Sequence, residues 1–213
     1  MGGSTLAEPS ETPGNLASRL GRGRAVLRHS AAVATAIVTI AAAMLARADT
    51  LGGGYPDEGF LADNATHTYC FGAGFNSDLE FNANYAMGTS LDAATNMSAQ
   101  FNSSCASGTD VRWLDANLPG STRGQYVCTS PVNPTTVCLA SDITLDPAEI
   151  DVGANDSEDR SKTACHEVGH SAVGLQHGNT KTDCMINGAI PDTTQQWRSF
   201  NGHHIAHIND TFP

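Results

Sequence analysis

The chain reads as an α+β domain behind a targeting leader. Three observations predict this. A stretch of helical character around residue 166 carries paired histidines, short apolar segments alternate between Pro- and Gly-marked turns, and the first residues differ in composition from all that follows. The expected architecture is a small sheet, a backing helix, a helix bearing functional groups and a short C-terminal helix.

The leader spans residues 1–48. Arg19, Arg22, Arg24 and Arg28 form a basic lead, and Ser30 to Ala46 follows as 17 residues without a charge. Ala46-Arg47-Ala48 is then a small-x-small cleavage site, so the stretch reads as a secretory signal peptide cut after Ala48. The rival is an uncleaved membrane anchor, for which the apolar run is at the short limit. Residues 49–213 form the domain.

The 213-residue chain has a formal net charge of −11. Residues 1–48 hold five of its 11 basic and two of its 22 acidic residues, so the domain carries six against 20, a net charge of −14. That argues against nucleic acid as a partner. No D-x-D-x-D-G calcium loop is present. All six cysteines fall in the domain, an even count that reads as three disulfides in an oxidising compartment. Of fifteen possible pairings we favour Cys70–Cys105, Cys128–Cys138 and Cys165–Cys184. No C-x-x-C is present to suggest a cysteine metal site.

Taken in order, Asp49 to Thr68 reads as an extended arm with His67 at the surface. Phe81, Tyr85, Leu91, Ala94, Met97 and Phe101 fall near helical spacing and predict a backing helix over 82–101, weakened by Asn82, Asn84 and Gly88. Val111/Trp113, Tyr126/Cys128 and Ile143/Leu145 alternate as strands do, with turns at Pro119-Gly120 and Pro131 to Pro134. Asp146 to Asp159 reads as an acidic loop. A helix then starts near 158–161, capped by Asp159 or Ser161, and ends at Gly174 in a left-handed turn. His203, His204 and His207 lie in a closing helix. Their i, i+4 pair raises a second metal site, but no Glu, Asp or Cys cluster accompanies it, so packing is the favoured role. N-x-S/T occurs at Asn64, Asn96, Asn102, Asn155 and Asn209.

The central stretch is Ala164-Cys165-His166-Glu167-Val168-Gly169-His170, an H-E-x-x-H, with Gly174 and His177 beyond it. On a helix His166 and His170 are separated by about 400° and about 6 Å, so both imidazoles leave one face and can share one zinc ion. Glu167 is one step round, placed to reach a metal-activated water without being a ligand.

These residues resemble the metzincin branch of zinc metallopeptidases, and A-C-H-E-V-G-H-S with the later D-C-M resembles small secreted actinobacterial members. The resemblance covers about residues 155–210. It implies a zincin-like fold with a small mixed sheet, Zn2+ held by His166, His170 and His177, Glu167 as general base and Met185 in a Met-turn. It also implies an antiparallel edge strand beside the metal, near Cys138 to Leu145, and a closing helix ending like His204 to Asn209. One departure stands out: three residues, Ser171 to Val173, separate His170 from Gly174 where the family has two. The turn must absorb the extra residue, or a substitute such as Asp183 is the third ligand.

The implied function is a secreted zinc endopeptidase acting on protein or peptide substrates. It is expected to be a monomer with no stable membrane association once the signal is removed. The alternative is a catalytically degenerate zinc-binding or adhesion protein on the same fold.

Overall fold

The structure is a computed structural model that describes residues 60–133, 137–178 and 182–213. The expected signal peptide and the first part of the arm lie outside the described residues, as does Pro134 of the expected turn.

Strands β1 (Leu61–Ala62) and β2 (Thr66–Phe71) lead into helix α1 (Ser77–Tyr85), which continues as a π-helical segment over Ala86–Asp92. Then come β3 (Ser98–Phe101), β4 (Val111–Asp115), β5 (Gly124–Cys128), β6 (Pro131–Asn133), β7 (Val137–Cys138) and β8 (Ser141–Leu145). Helix α2 (Pro147–Ile150), helix α3 (Asp156–Val173), a 3-10 turn (Gln195–Arg198) and helix α4 (Gly202–Thr211) complete the described chain. The α+β class is therefore as expected.

The main sheet is five-stranded and mixed, in the order β3-β2-β4-β8-β5. Its first four strands run parallel, and β5 pairs antiparallel with β8 in a register that sets Tyr126 against Ile143. A smaller sheet has the order β1-β7-β6. Strand alternation explains the core. Val111 and Trp113 on β4, and Ile143 and Leu145 on β8, point one way and pack with Leu79, Met87 and Leu91 of the backing segment. Helix α3 lies against α1, the π segment, β5 and β8. Nearly all of α3 from Ser161 to Val173 is buried, which makes it the molecule's central element.

Five expectations change. The backing helix starts at Ser77, where Asn76 caps it by accepting from the Asp78 amide at 2.9 Å. It ends with the π segment, and residues 98–101 form β3 beside β2. Met97 and Phe101 are four apart, a separation that fits a strand's period of two as well as a helix's 3.6. Phe101 instead joins Tyr69 and Phe71, with ring centroids at 5.3 and 5.2 Å.

The end of the presumed arm is β2, an interior strand of the sheet. His67 shares its inward face with Tyr69 and is only 2% exposed, with Nε2 3.1 Å from Ser171 Oγ on α3. Pro131 to Asn133 is strand β6, not only a turn. The acidic loop contains α2, capped by Asp146, which accepts from Ala148 N at 3.0 Å and Glu149 N at 3.2 Å. Finally, α3 starts at Asp156 after Asn155, with no side-chain cap from either expected residue. Ser161 instead accepts from Asn82 Nδ2 at 2.8 Å, and Asp159 accepts from the Ile190 amide at 2.9 Å. Acidic residues still fill the first turn of α3, where they complement its dipole.

The three disulfides are Cys70–Cys105, Cys128–Cys138 and Cys165–Cys184, and no described cysteine is free. They fit an oxidising compartment. Among the described residues, no helix is long and apolar enough to cross a membrane.

Candidate metal centre

Helix α3 carries His166 and His170 on the face turned toward β5. Each ring is held from behind. His166 Nδ1 lies 2.9 Å from the carbonyl oxygen of Cys184, and His170 Nδ1 contacts that of Leu175. A carbonyl can only accept, so both Nδ1 atoms carry the proton and both Nε2 lone pairs face outward. Burial holds both imidazoles neutral: His166 is well below its ordinary value, and His170 is lowered to about 4, helped by the neighbouring His177. Neutral imidazole is the ligating form.

The third imidazole arrives through the turn that ends α3. Gly174 adopts φ 61° and ψ 38°, a left-handed conformation that glycine takes without a Cβ penalty. Its amide reaches His170 O at 3.1 Å, and the Leu175 amide reaches Gly169 O at 3.1 Å. The first is the ordinary i→i−4 bond of a left-handed cap, and the second spans one residue more than the outer bond of a Schellman motif. Residues 171–173 continue the helix up to this cap. The chain then returns along 174–178, where Gly178 N donates to Met185 O at 2.8 Å.

His177 is exposed and meets the other two, with ring centroids 4.9 Å from His166 and 5.2 Å from His170; those two are 4.7 Å apart. Among the described residues these three histidines form a group able to hold a metal ion, with one nitrogen of each lying within 4.8 Å of the others. Nitrogens on a tetrahedral zinc ion at about 2.1 Å stand about 3.4 Å apart, so small side-chain rotations close the site. The donor set fits: three imidazoles, two of them neutral and already oriented. All-imidazole donors suit zinc and also copper, iron and nickel.

Asp183, the substitute considered from the sequence, does not join this cluster. It is buried, accepts from the Met185 and Asn201 amides at 3.0 Å each, and pairs with Nδ1 of the fully buried His204. His204 therefore packs, as the sequence favoured. Met185 is buried with its sulfur against α3: a Cβ added at Gly169 would stand 2.6 Å from it. The methionine thus supports the helix turn between the first two histidines.

Glu167 opens onto the same cleft, which has a volume of about 460 Å³ between α3 and β5. Burial pushes its carboxyl up to about 8, while Lys162 and the backbone amide of Tyr126 pull it back toward the ionised form. The edge strand beside the site is β5. The resemblance assigned that position to Cys138 to Leu145, but Cys138 ends β7 and residues 141–145 lie between β4 and β5. At Gly124 on β5 the backbone approaches closely: a Cβ there would lie 2.6 Å from Glu167 Oε1 and 2.8 Å from Thr163 Cγ2.

Two cleft residues escaped the sequence reading. Lys162 lines the cleft one turn before His166, at the same i, i+4 step that separates His166 from His170, so helical spacing could have found it. Arg123 arrives on the segment leading into β5, and nothing in its local sequence ties it to α3.

Compared with known proteins, the chain matches no protein-family model and no curated protein sequence.

Proposed function

We propose that the chain is a secreted zinc-dependent endopeptidase of the zincin type. The observation that carries this reading is one arrangement: His166, His170 and His177 converge beside Glu167, under the free edge of an antiparallel strand. An extended peptide can add to β5 through main-chain hydrogen bonds, which places its carbonyls in register along the cleft. Zinc, when bound to the three histidines, supplies a Lewis acid that makes water a nucleophile near neutral pH.

The remaining work belongs to the chain. Glu167 takes a proton from the attacking water and passes it to the amine nitrogen as the peptide C–N bond breaks. The Tyr126 amide holds the Glu167 carboxylate in place. Carbonyls of Cys184 and Leu175 keep the ligand rings from turning. The basic-then-apolar leader and the three disulfides support export.

The test is casein cleavage by the oxidised, zinc-loaded protein with Glu167→Ala alongside. The wild type is expected to cleave, to stop with chelator and to recover with zinc. Glu167→Ala should retain its zinc by metal analysis and lose about 10²- to 10⁴-fold in rate, the range for a general base. Undiminished cleavage by that variant would remove Glu167 from the reaction. A folded, zinc-loaded wild type that cleaves nothing would favour the zinc-binding or adhesion alternative.

A further inference from the structure

The cleft contains a cation whose role so far is to favour the ionised form of Glu167. Lys162 is 3% exposed, yet it lines the cleft with His166 and Glu167. Burying a charge is costly unless something compensates it. Among the described residues Lys162 forms no ion pair within 4.0 Å, and no side-chain hydrogen bond involves its ammonium. Glu167 is the carboxylate that acts on it most strongly, while Asp159 is engaged by the Ile190 amide and stands 3.0 Å from Arg123 Nη1. That same Arg123 nitrogen is buried and makes no hydrogen bond, although it lies within ion-pair range of Asp159. Burial lowers Lys162 to about 8, so it still carries its proton at neutral pH.

One region of the cleft thus holds an ammonium with no ion pair within 4.0 Å among the described residues, with a guanidinium beside it and Glu167 as its main counter-charge, in a chain whose overall charge is −11. A bound divalent metal would add positive charge nearby. The natural complement is an anion brought in by the ligand. The cleft also runs along β5, whose edge accepts an extended backbone. An anion carried there is a carboxylate on a peptide.

We propose that Lys162, with Arg123 beside it, is a specificity-determining residue that receives an acidic side chain of the substrate peptide next to the bond that is cut. This rests on the peptidase reading of the same site.

The probe is a set of N-acetylated, C-amidated octapeptides in which each position in turn carries Glu or Gln, so that the tested carboxylate is the sole one present. Binding is measured by calorimetry on the zinc-loaded Glu167→Gln protein, and cleavage by mass spectrometry on the wild type. At one position, adjacent to the cleaved bond, Glu should bind at least ten-fold tighter than Gln. Lys162→Met in the same background should bring that ratio near one, and Lys162→Arg should largely keep it. Equal affinity for Glu and Gln at every position, or a preference that survives Lys162→Met, would overturn the proposal. Where Lys162→Met does not fold, the ratio in the Lys162 protein decides the matter.

The two readings fail separately. Cleavage without an acidic preference would leave the peptidase and remove the carboxylate subsite. Preferential binding without cleavage by the wild type would leave the subsite and remove the peptidase. Neither binding nor cleavage of any peptide would remove both.

Discussion

At the scale of residues, His177 and Asp183 are the two candidates for completing the metal site, and their surroundings separate them. His177 is exposed with its ring near those of His166 and His170, whereas Asp183 is enclosed by three donors. His177→Ala should therefore lower zinc affinity by orders of magnitude with little change in stability. Asp183→Ala should keep the metal and lose about 3 kcal/mol or more, the usual cost of stripping a buried charged group from its partners. Metal analysis and urea denaturation on the two variants distinguish these outcomes.

His67 permits a pH prediction. Ser171 Oγ donates to Val168 O, so it accepts from His67 Nε2–H, and His67 Nδ1 is left as a buried nitrogen without a partner. Burial lowers the imidazole to about 4. The unfolded state then takes up a proton near pH 6.5 while the folded state does not. The full stability is present above about pH 6.5 and drains away toward pH 4, by about 3 kcal/mol from this group. Between pH 7 and pH 4.5, His67→Leu should lose less stability than the wild type, and equal losses would refute the assignment.

Much of the site was legible at this scale because helical spacing is a rigid rule: His166, Glu167 and His170 share one element. His177 was less so, since its position depends on a turn whose width the sequence does not state. The surface expectation for His67 failed because burial there is set by which strand neighbours it, a non-local fact.

At the scale of elements, β5 gives the site its second wall. Its closeness to α3 at Gly124 is possible because that residue has no side chain. Gly124→Ala forces a methyl group against the Glu167 carboxylate and Thr163. It should reduce turnover at least 100-fold if Glu167 is the general base, while zinc content stays at the wild-type level. Steady-state kinetics with metal analysis tests this, and unchanged turnover would mean that β5 stands further from α3 than described.

The strands with strict alternation, β4, β5 and β8, were readable, as was the glycine stop of α3. Which strand lies at the sheet's edge was not. Strand order is decided by pairing between residues far apart in the chain, as when Val111 sits beside both Tyr69 and Ser141. The short strands β1, β6 and β7 carry too few residues for a period to show.

At the scale of the whole molecule, packing concentrates on α3, and the Cys165–Cys184 bridge ties that helix to the Met185 segment. A loop of this size contributes about 3 kcal/mol in the chain-entropy picture. The bridge also lies beside the site in sequence: Cys165 precedes His166, and the Cys184 carbonyl holds the His166 ring. The double variant Cys165→Ser/Cys184→Ser should accordingly bind zinc at least ten-fold more weakly than the wild type, beyond its loss of stability. Competition with a calibrated chelator on folded protein measures this, and an unchanged affinity would show that the ring is held without the bridge.

If the site holds a metal as proposed, that one sulfur–sulfur bond would also set an order of maturation. Before the thiols are oxidised, α3 would lack its covalent tie to the segment whose Cys184 carbonyl holds the His166 ring. Metal uptake would then follow oxidation, and a reduced copy would compete poorly for the ion until the bridge forms.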